Sequence, residues 1–252
     1  MRILLAGIET PLAKIFIKNY KAKHGMVALD PTKADFSRLE PIKDVFNSYR
    51  FDAVIYFASS ISKELSLFKN LQYACILQGI TRLVTVFEYN DKLDSESAFD
   101  CIVPDLIEKD KISVGLKFYN IYGKGEKNSI VAKQIAAAKK GKIDMPKDRL
   151  IPMTYVEDAA MVLYLALESD LLKGNYDIAN PKPEKLSAIA SGIKKHLPDI
   201  KVCVKDKVAE ECEFLQSMNL DKFTQEVPKF KFTTLANSIK GMLETSQPNA
   251  KK

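Results

Sequence analysis

The chain has 252 residues, 46% apolar and 28% charged, enough to bury a full core in one large domain or two unequal ones. Its formal charge of +6 comes from lysines scattered along the chain, with no arginine cluster and no basic stripe interleaved with aromatics, so nucleic acid is not an expected partner. No run approaches the roughly 18 apolar residues of a membrane span, and the N-terminal MRILLAGIETPLA is broken by Glu9 and Pro11 too early for a signal peptide.

Short β-branched apolar runs alternate with longer amphipathic segments, the pattern of a parallel sheet covered by helices on both faces. Strands are expected at Arg2 to Ala6, Met26 to Leu29, Ala53 to Phe57, Arg82 to Val86 and Ile112 to Phe118. In the first helix Thr10 caps, Pro11 sits where a missing N–H costs nothing, and Leu12, Ile15, Phe16 and Tyr20 share one apolar face. Lys139, Lys140 and Lys142 read as a solvated helix end after SIVAKQIAAAKK. LIPMTYVEDAAMVLYLALES then combines a strand and a helix, and GNYDIAN follows as a strand. The remainder reads as a helix (KLSAIASGIKKHL), a strand (IKVCV), a helix opening at Thr233 and Thr234, and a disordered tail from Thr245. Cys75, Cys101, Cys203 and Cys212 are far apart and form no ligand set with His24 and His196, so reduced thiols, a cytosolic protein and no metal are expected.

Taken in order, MRILLAG, VALD ending at Asp30, ADFSRLEPIKDVFNSYRFDAVIYFAS, GLKFYNIYGKG, MTYVEDAAMVLYLALE and GNYDIANPKPEKLSAIASGIKKHL resemble the NAD-dependent nucleotide-sugar epimerases and dehydratases, members of the extended short-chain dehydrogenase/reductase family. The resemblance implies an α/β fold, a Rossmann-type doubly wound parallel sheet with a smaller α/β C-terminal cap. Residues 1–125 and 153–180 would form the first domain, and 126–152 with 181–252 the cap. It also implies cofactor contacts at Gly7, Thr10, Leu12, Asp30, Asp35, Phe36, Phe57 and Ala58. The chain is shorter than most family members, chiefly between Ala58 and Arg82.

A dinucleotide loop needs glycines for a tight turn and for close approach of the backbone to the pyrophosphate. Here Gly7 keeps the first position, Thr10 replaces the second glycine and Ala13 the third, while Glu9 places a carboxylate where an anion would dock. Two readings stand: a helix start that serves structure alone, or a loop that still holds a cofactor, which Asp30 would make NAD rather than NADP. Impaired or absent NAD binding is expected.

Catalysis in the family resembles a proton relay in which a tyrosine is tuned by a lysine four residues later, on the same helix face. None of the ten tyrosines here has a lysine at that spacing. The nearest matches to the couple are Phe99 and Val103, and Phe87-Glu88 stands where Ser or Thr is expected, with Thr85 inside the strand. No catalytic residue is therefore assigned. Tyr89, Tyr122, Glu88 and Glu108 remain the alternatives in an unusual member.

On the substrate side the resemblance implies Asn120 and Tyr122 near a nucleotide-sugar diphosphate, with Gly123 permitting a close turn. Ile151 takes the usual arginine position and Arg149 lies two residues earlier on the same strand face; it is either a diphosphate clamp or a surface charge. Asp158 reads as a structural helix start. Helices at Leu65 to Gln78 and Ala98 to Lys109 would supply a dimer interface, in which Pro104 is expected to kink or shorten the second. The leading expectation is a nucleotide-sugar epimerase/dehydratase-like protein without ordinary catalysis, serving as a binding protein, a homodimer or the partner of an active homologue. An active atypical enzyme and a purely structural interaction module are the alternatives.

Overall fold

A computed structural model of the chain, describing residues 1–58, 64–90, 97–145, 148–170, 172–204 and 217–244, carries the expected alternation of strands and helices. The chain divides into two units, Met1–Phe118 with Ala160–Asp177, and Tyr119–Ala159 with Ile178 onward.

The first unit is built on β1 (Arg2–Ala6), α1 (Pro11–Tyr20), β2 (Gly25–Ala28), α2 (Leu39–Ser48), β3 (Ala53–Ala58), α3 (Leu65–Gln78), β4 (Leu83–Tyr89), α4 (Ala98–Lys109) and β5 (Ser113–Tyr119). Later segments add the C-terminal part of α6 (Val156–Glu168) and β10 (Gly174–Ile178). Its six strands lie in the order β10-β5-β4-β3-β1-β2, and β1 pairs in parallel with both β2 and β3. The winding thus reverses beside β1, and sheets wound in this way usually take a ligand outside the carboxyl ends of the two strands at the reversal, here β1 and β3. β3 is buried along its whole length, as its unbroken AVIYFA requires, whereas β2 at the sheet edge is half-exposed.

Helices cover this sheet because their apolar residues recur at helical spacing. Leu12, Ile15, Phe16 and Tyr20 of α1 are all buried, and so are Ile42 and Phe46 of α2. Each such side chain contributes about 1.5–3 kcal/mol relative to exposure. α3 ends at Gly79, whose left-handed φ of 66° lets its N–H reach the Ile76 carbonyl at 3.2 Å. β5 starts one residue later than the apolar run suggests, because the Asp110 carboxylate accepts the N–H groups of Ile112 and Ser113 at 2.9 and 2.7 Å. α4 runs unbroken past Pro104, so the proline does not shorten it.

In the second unit β6 (Ile121–Tyr122) leads to α5 (Ile130–Ala138), β7 (Lys142–Met145), β8 (Leu150–Ile151), β9 (Thr154–Tyr155) and the first turn of α6. After β10 come β11 (Glu184–Lys185), α7 (Leu186–His196), β12 (Lys201–Val204), α8 (Leu220–Glu226) and α9 (Leu235–Glu244). Three short ladders form, β6 with β9 and β7 with β12 in parallel, and β8 with β11 antiparallel. Val131 and Ile135 of α5, Ile189 and Ile193 of α7 and Ile239 of α9 close one apolar core over them. α9 opens as expected, with the Thr234 hydroxyl accepting the Asn237 N–H at 3.4 Å. α8 is an addition to the expected elements, started by Asn219, whose side chain accepts the Lys222 N–H. Cys212 and the tail from Thr245 lie outside the described residues.

Candidate functional site

The turn after β1 was the first candidate, and its geometry follows from three adjacent residues. Gly7 takes a φ of 72°, and Thr10 is 6% exposed with its hydroxyl accepting the Ala13 N–H at 3.1 Å. The Thr10 side chain is thus turned into the helix as its cap instead of projecting into the space a phosphate would use. Pro11 has no N–H, so Leu12 is the one donor of the first three helical positions that remains for an anion. Glu9 is exposed at the rim.

Beyond it, Asp30 follows β2 and folds a turn of its own. Its Oδ1 accepts both the Thr32 N–H at 3.0 Å and the Thr32 hydroxyl at 2.6 Å, and Lys33 Nζ stands 3.7 Å from Oδ2. These Thr32 bonds hold its carboxyl below the usual range. Asp35 repeats the arrangement with Ser37, at 3.1 Å to the N–H and 2.6 Å to the hydroxyl, and its pKa is lowered by the same kind of bonding. Phe36 is half-buried against the core, and Asn70 of α3 holds the loop by donating to the Phe36 and Ser37 carbonyls. Phe57 and Ala58 are fully buried at the carboxyl end of β3. The sequence candidates therefore follow the ends of β1, β2 and β3 on one sheet edge, with their polar groups already engaged locally.

At the positions that match the Tyr-Lys couple, α4 presents hydrocarbon. Phe99 is 3% exposed and packs edge-on against Tyr56 and Phe68, at ring separations of 5.8 and 6.5 Å, and tilted against Phe87 at 5.6 Å. Val103 is fully buried one turn on. The Tyr56 hydroxyl accepts the Glu64 N–H at 2.9 Å, and burial raises the phenol's pKa. β4 extends through Phe87-Glu88-Tyr89 rather than stopping at Val86, so this pair belongs to the strand, and Thr85 is fully buried within it. Glu108 accepts the backbone N–H and side-chain amide of Asn175, both at 2.8 Å, and thereby anchors β10.

One arrangement here was missed from sequence. The Tyr89 hydroxyl stands 3.3 Å from Asp100 Oδ1, while Asp100 Oδ2 accepts the Ser97 hydroxyl at 2.7 Å in a capping box that starts α4. The Ser-x-x-Asp spacing of Ser97 and Asp100 was its available signal.

In the second unit Asn120 adopts a φ of 45° and donates to the Pro152 carbonyl at 2.9 Å. Tyr122 is 3% exposed, and its hydroxyl shares a 2.8 Å hydrogen bond with Ser238 of α9; burial raises its pKa. A Cβ on Gly123, at φ 137°, would stand 2.5 Å from Val156 Cγ1, so only glycine fits. Ile151 is buried in the apolar core, and Arg149 is half-buried two residues before it. Asp158 accepts the Thr233 N–H and hydroxyl, both at 2.7 Å, which joins the start of α6 to the segment leading into α9. Tyr122, Tyr155, Asp158 and Thr233 border a cavity of about 10 Å³, room for a single water. Among the described residues no cluster of His, Cys, Asp and Glu is fit to hold a metal, and no helix is long and apolar enough to cross a membrane.

No family model matches the chain, and no curated protein matches it. Solved structures do. An ADP-L-glycero-D-manno-heptose-6-epimerase from Helicobacter pylori is 17% identical, with 97% of this chain and 95% of that chain covered and a TM-score of 0.75. A GDP-L-fucose synthetase from Naegleria fowleri is 14% identical over 96% and 92%, at a TM-score of 0.74. A dTDP-glucose 4,6-dehydratase from Bacillus anthracis, solved in complex with NAD, is 13% identical over 98% and 97%, at 0.72. The likeness establishes the Rossmann-like α/β fold along nearly the whole chain.

Proposed function

We propose that this chain is a nucleotide-sugar epimerase/dehydratase-like protein that binds its ligand without hydride chemistry, acting as a binding protein or as the partner of an active relative. The observation that carries the reading is the face of α4, where Phe99 and Val103 stand in an aromatic and aliphatic core at the positions of the tyrosine and lysine, and neither side chain can move a proton. The α1 entrance supports it. With the Ala13 N–H given to Thr10, a proline at the next position and Glu9 at the rim, the residues present do not fit a dinucleotide pyrophosphate. Asn120 and Arg149 are the groups proposed to meet a nucleotide-sugar diphosphate. Tyr122 contributes by fixing their segment through Ser238.

Calorimetric titration tests this directly. Silence toward NAD(H) and NADP(H), with binding of a nucleoside diphosphate or nucleotide sugar that weakens about tenfold in Arg149→Ala, is the expected result. Steady turnover of a nucleotide sugar in the presence of NAD(H) would end the non-catalytic reading.

A second reading rests on the Tyr89 and Asp100 contact, which sets a phenol beside a carboxylate at the carboxyl end of β4. In that case the chain is an atypical nucleotide-sugar epimerase, dehydratase or reductase, and Tyr89→Phe would abolish turnover while leaving ligand binding intact. For the partner role, the exposed Tyr73, Ile76 and Leu77 of α3 and Ile102 of α4 form the proposed contact surface. An Ile76→Asp, Leu77→Lys variant is expected to be monomeric by light scattering. An unchanged mass would remove this surface from the proposal.

A further inference from the structure

A cleft in the second unit lies away from every residue assigned above except Gly123. It encloses about 380 Å³, within the range of small-molecule sites. Its floor is apolar: Ala132, Ile135 and Ala136 of α5 and Met242 of α9. Ala132 and Ala136 stand one turn apart on the same helix face, and their short side chains give the groove its depth. Three lysines border it, Lys124 and Lys127 from the turn before α5 and Lys139 at the end of that helix, against a single carboxylate, Glu126.

The turn bearing two of these cations is held in place by its backbone. Gly123 and Gly125 take φ values of 137° and 91°. The Glu126 N–H reaches the Gly123 carbonyl at 3.2 Å, and the Lys127 N–H reaches that of Gly125 at 2.9 Å. Ser129 caps α5 and donates its hydroxyl to the Glu126 carbonyl at 2.9 Å. Lys124 and Lys127 thus extend from a defined frame at the mouth of a hydrocarbon-lined groove.

We propose that this cleft binds an amphipathic organic anion, an aliphatic chain carrying a phosphate or carboxylate head, at a site separate from the nucleotide-sugar residues. Charge complementarity selects the head group, since the lining carries three ammonium groups and one carboxylate. The floor selects the body: it offers methyl, branched aliphatic and thioether surface but no aromatic ring on which a base would stack.

Isothermal titration of the full chain with octyl phosphate, octanoate, inorganic phosphate and octyl glucoside tests the assignment. Octyl phosphate or octanoate is expected to bind below its aggregation concentration, at least tenfold more tightly than inorganic phosphate or octyl glucoside; which of the two is tighter identifies the head. Lys124→Gln with Lys127→Gln is expected to weaken binding about tenfold. Ala136→Leu, at an exposed position, is expected to abolish it by filling the groove, with an unchanged melting temperature showing that the fold persists. Equal binding of octyl glucoside, equal binding of inorganic phosphate, or full affinity in Ala136→Leu would each overturn the proposal.

Discussion

Two turns in this molecule have nearly the same local construction and opposite chemistry. Each leaves a strand through a glycine with positive φ and enters a helix capped by a hydroxyl, Thr10 accepting the Ala13 N–H at 3.1 Å and Ser129 accepting the Ala132 N–H at 3.2 Å. The first has Glu9 at its rim and Pro11 at its start, and the second has Lys124 and Lys127 beside an open groove. A helix N-terminus is therefore not an anion site by virtue of its dipole alone. The donors left unused after capping and the charges on the preceding loop decide what it attracts.

The comparison breaks most visibly if the first unit can be reopened for chemistry. Phe99→Tyr with Val103→Lys restores the missing couple on paper but buries an ammonium at a fully enclosed position. We expect a loss of about 4 kcal/mol or more in urea unfolding and no turnover. A stable, active double variant would show that the α4 face is not sealed.

The two glycines come next. Gly123→Ala combines a strained φ with a clash against Val156 Cγ1, and about 3 kcal/mol is expected to be lost. Gly7→Ala, at a φ of 72°, should lose only about 1–2 kcal/mol. Equal losses, read from denaturant midpoints, would mean that the second turn is no more tightly built than the first.

Acid should separate the units further. His24, just beyond α1, is buried, and that burial, with the N-terminal charge and Lys23, outweighs the Glu168 carboxylate 3.6 Å away and lowers its pKa beneath 6.5. A histidine kept neutral in the fold contributes stability above its unfolded value, and this is lost as pH falls below about 6.5, by no more than about 1.4 kcal/mol per pH unit. Burial raises Asp158 in the second unit instead, in spite of its bonds from Thr233, so its contribution is present at low pH and fades as pH rises above 3.8. Hydrogen exchange between pH 4 and 6.5 should show the first unit loosening on acidification while the α6–Thr233 junction tightens. His24→Phe should flatten the first trend.

Smallest is the cap itself. Thr10→Ala and Ser129→Ala are each expected to cost about 1 kcal/mol. Only Thr10→Gly with Glu9→Gly should gain measurable NAD(H) affinity, because it frees the Ala13 N–H and clears the rim carboxylate. No gain would mean that the remaining proline is enough to exclude the cofactor.

Much of the architecture was legible because local and global signals agreed. Thr10, Pro11 and the Leu12–Ile15–Phe16–Tyr20 stripe specified α1 completely, and the apolar runs located β1 to β5 of the first unit's six strands to within a few residues. The end of β4 was less legible, since Glu88 and Tyr89 look polar although the backbone remains paired through them. α8 escaped notice because Phe223 is its only buried side chain, so seven residues offered no stripe to detect. The lysine-bordered groove could not be anticipated at all. It exists because Met242 of α9 meets a face of α5 more than a hundred positions earlier, a proximity that no local pattern encodes.

Arg82 holds the Leu172 carbonyl at 2.9 Å and the Asp170 carboxylate at 3.0 Å, and so secures a strand that emerges late. During synthesis the first five strands leave the ribosome well before β10, and β5 must wait with one edge unsatisfied until the intervening segment has been made. A nascent chain stalled ahead of residue 170 therefore presents a bare strand margin, the stage at which chaperones or aggregation would compete for it.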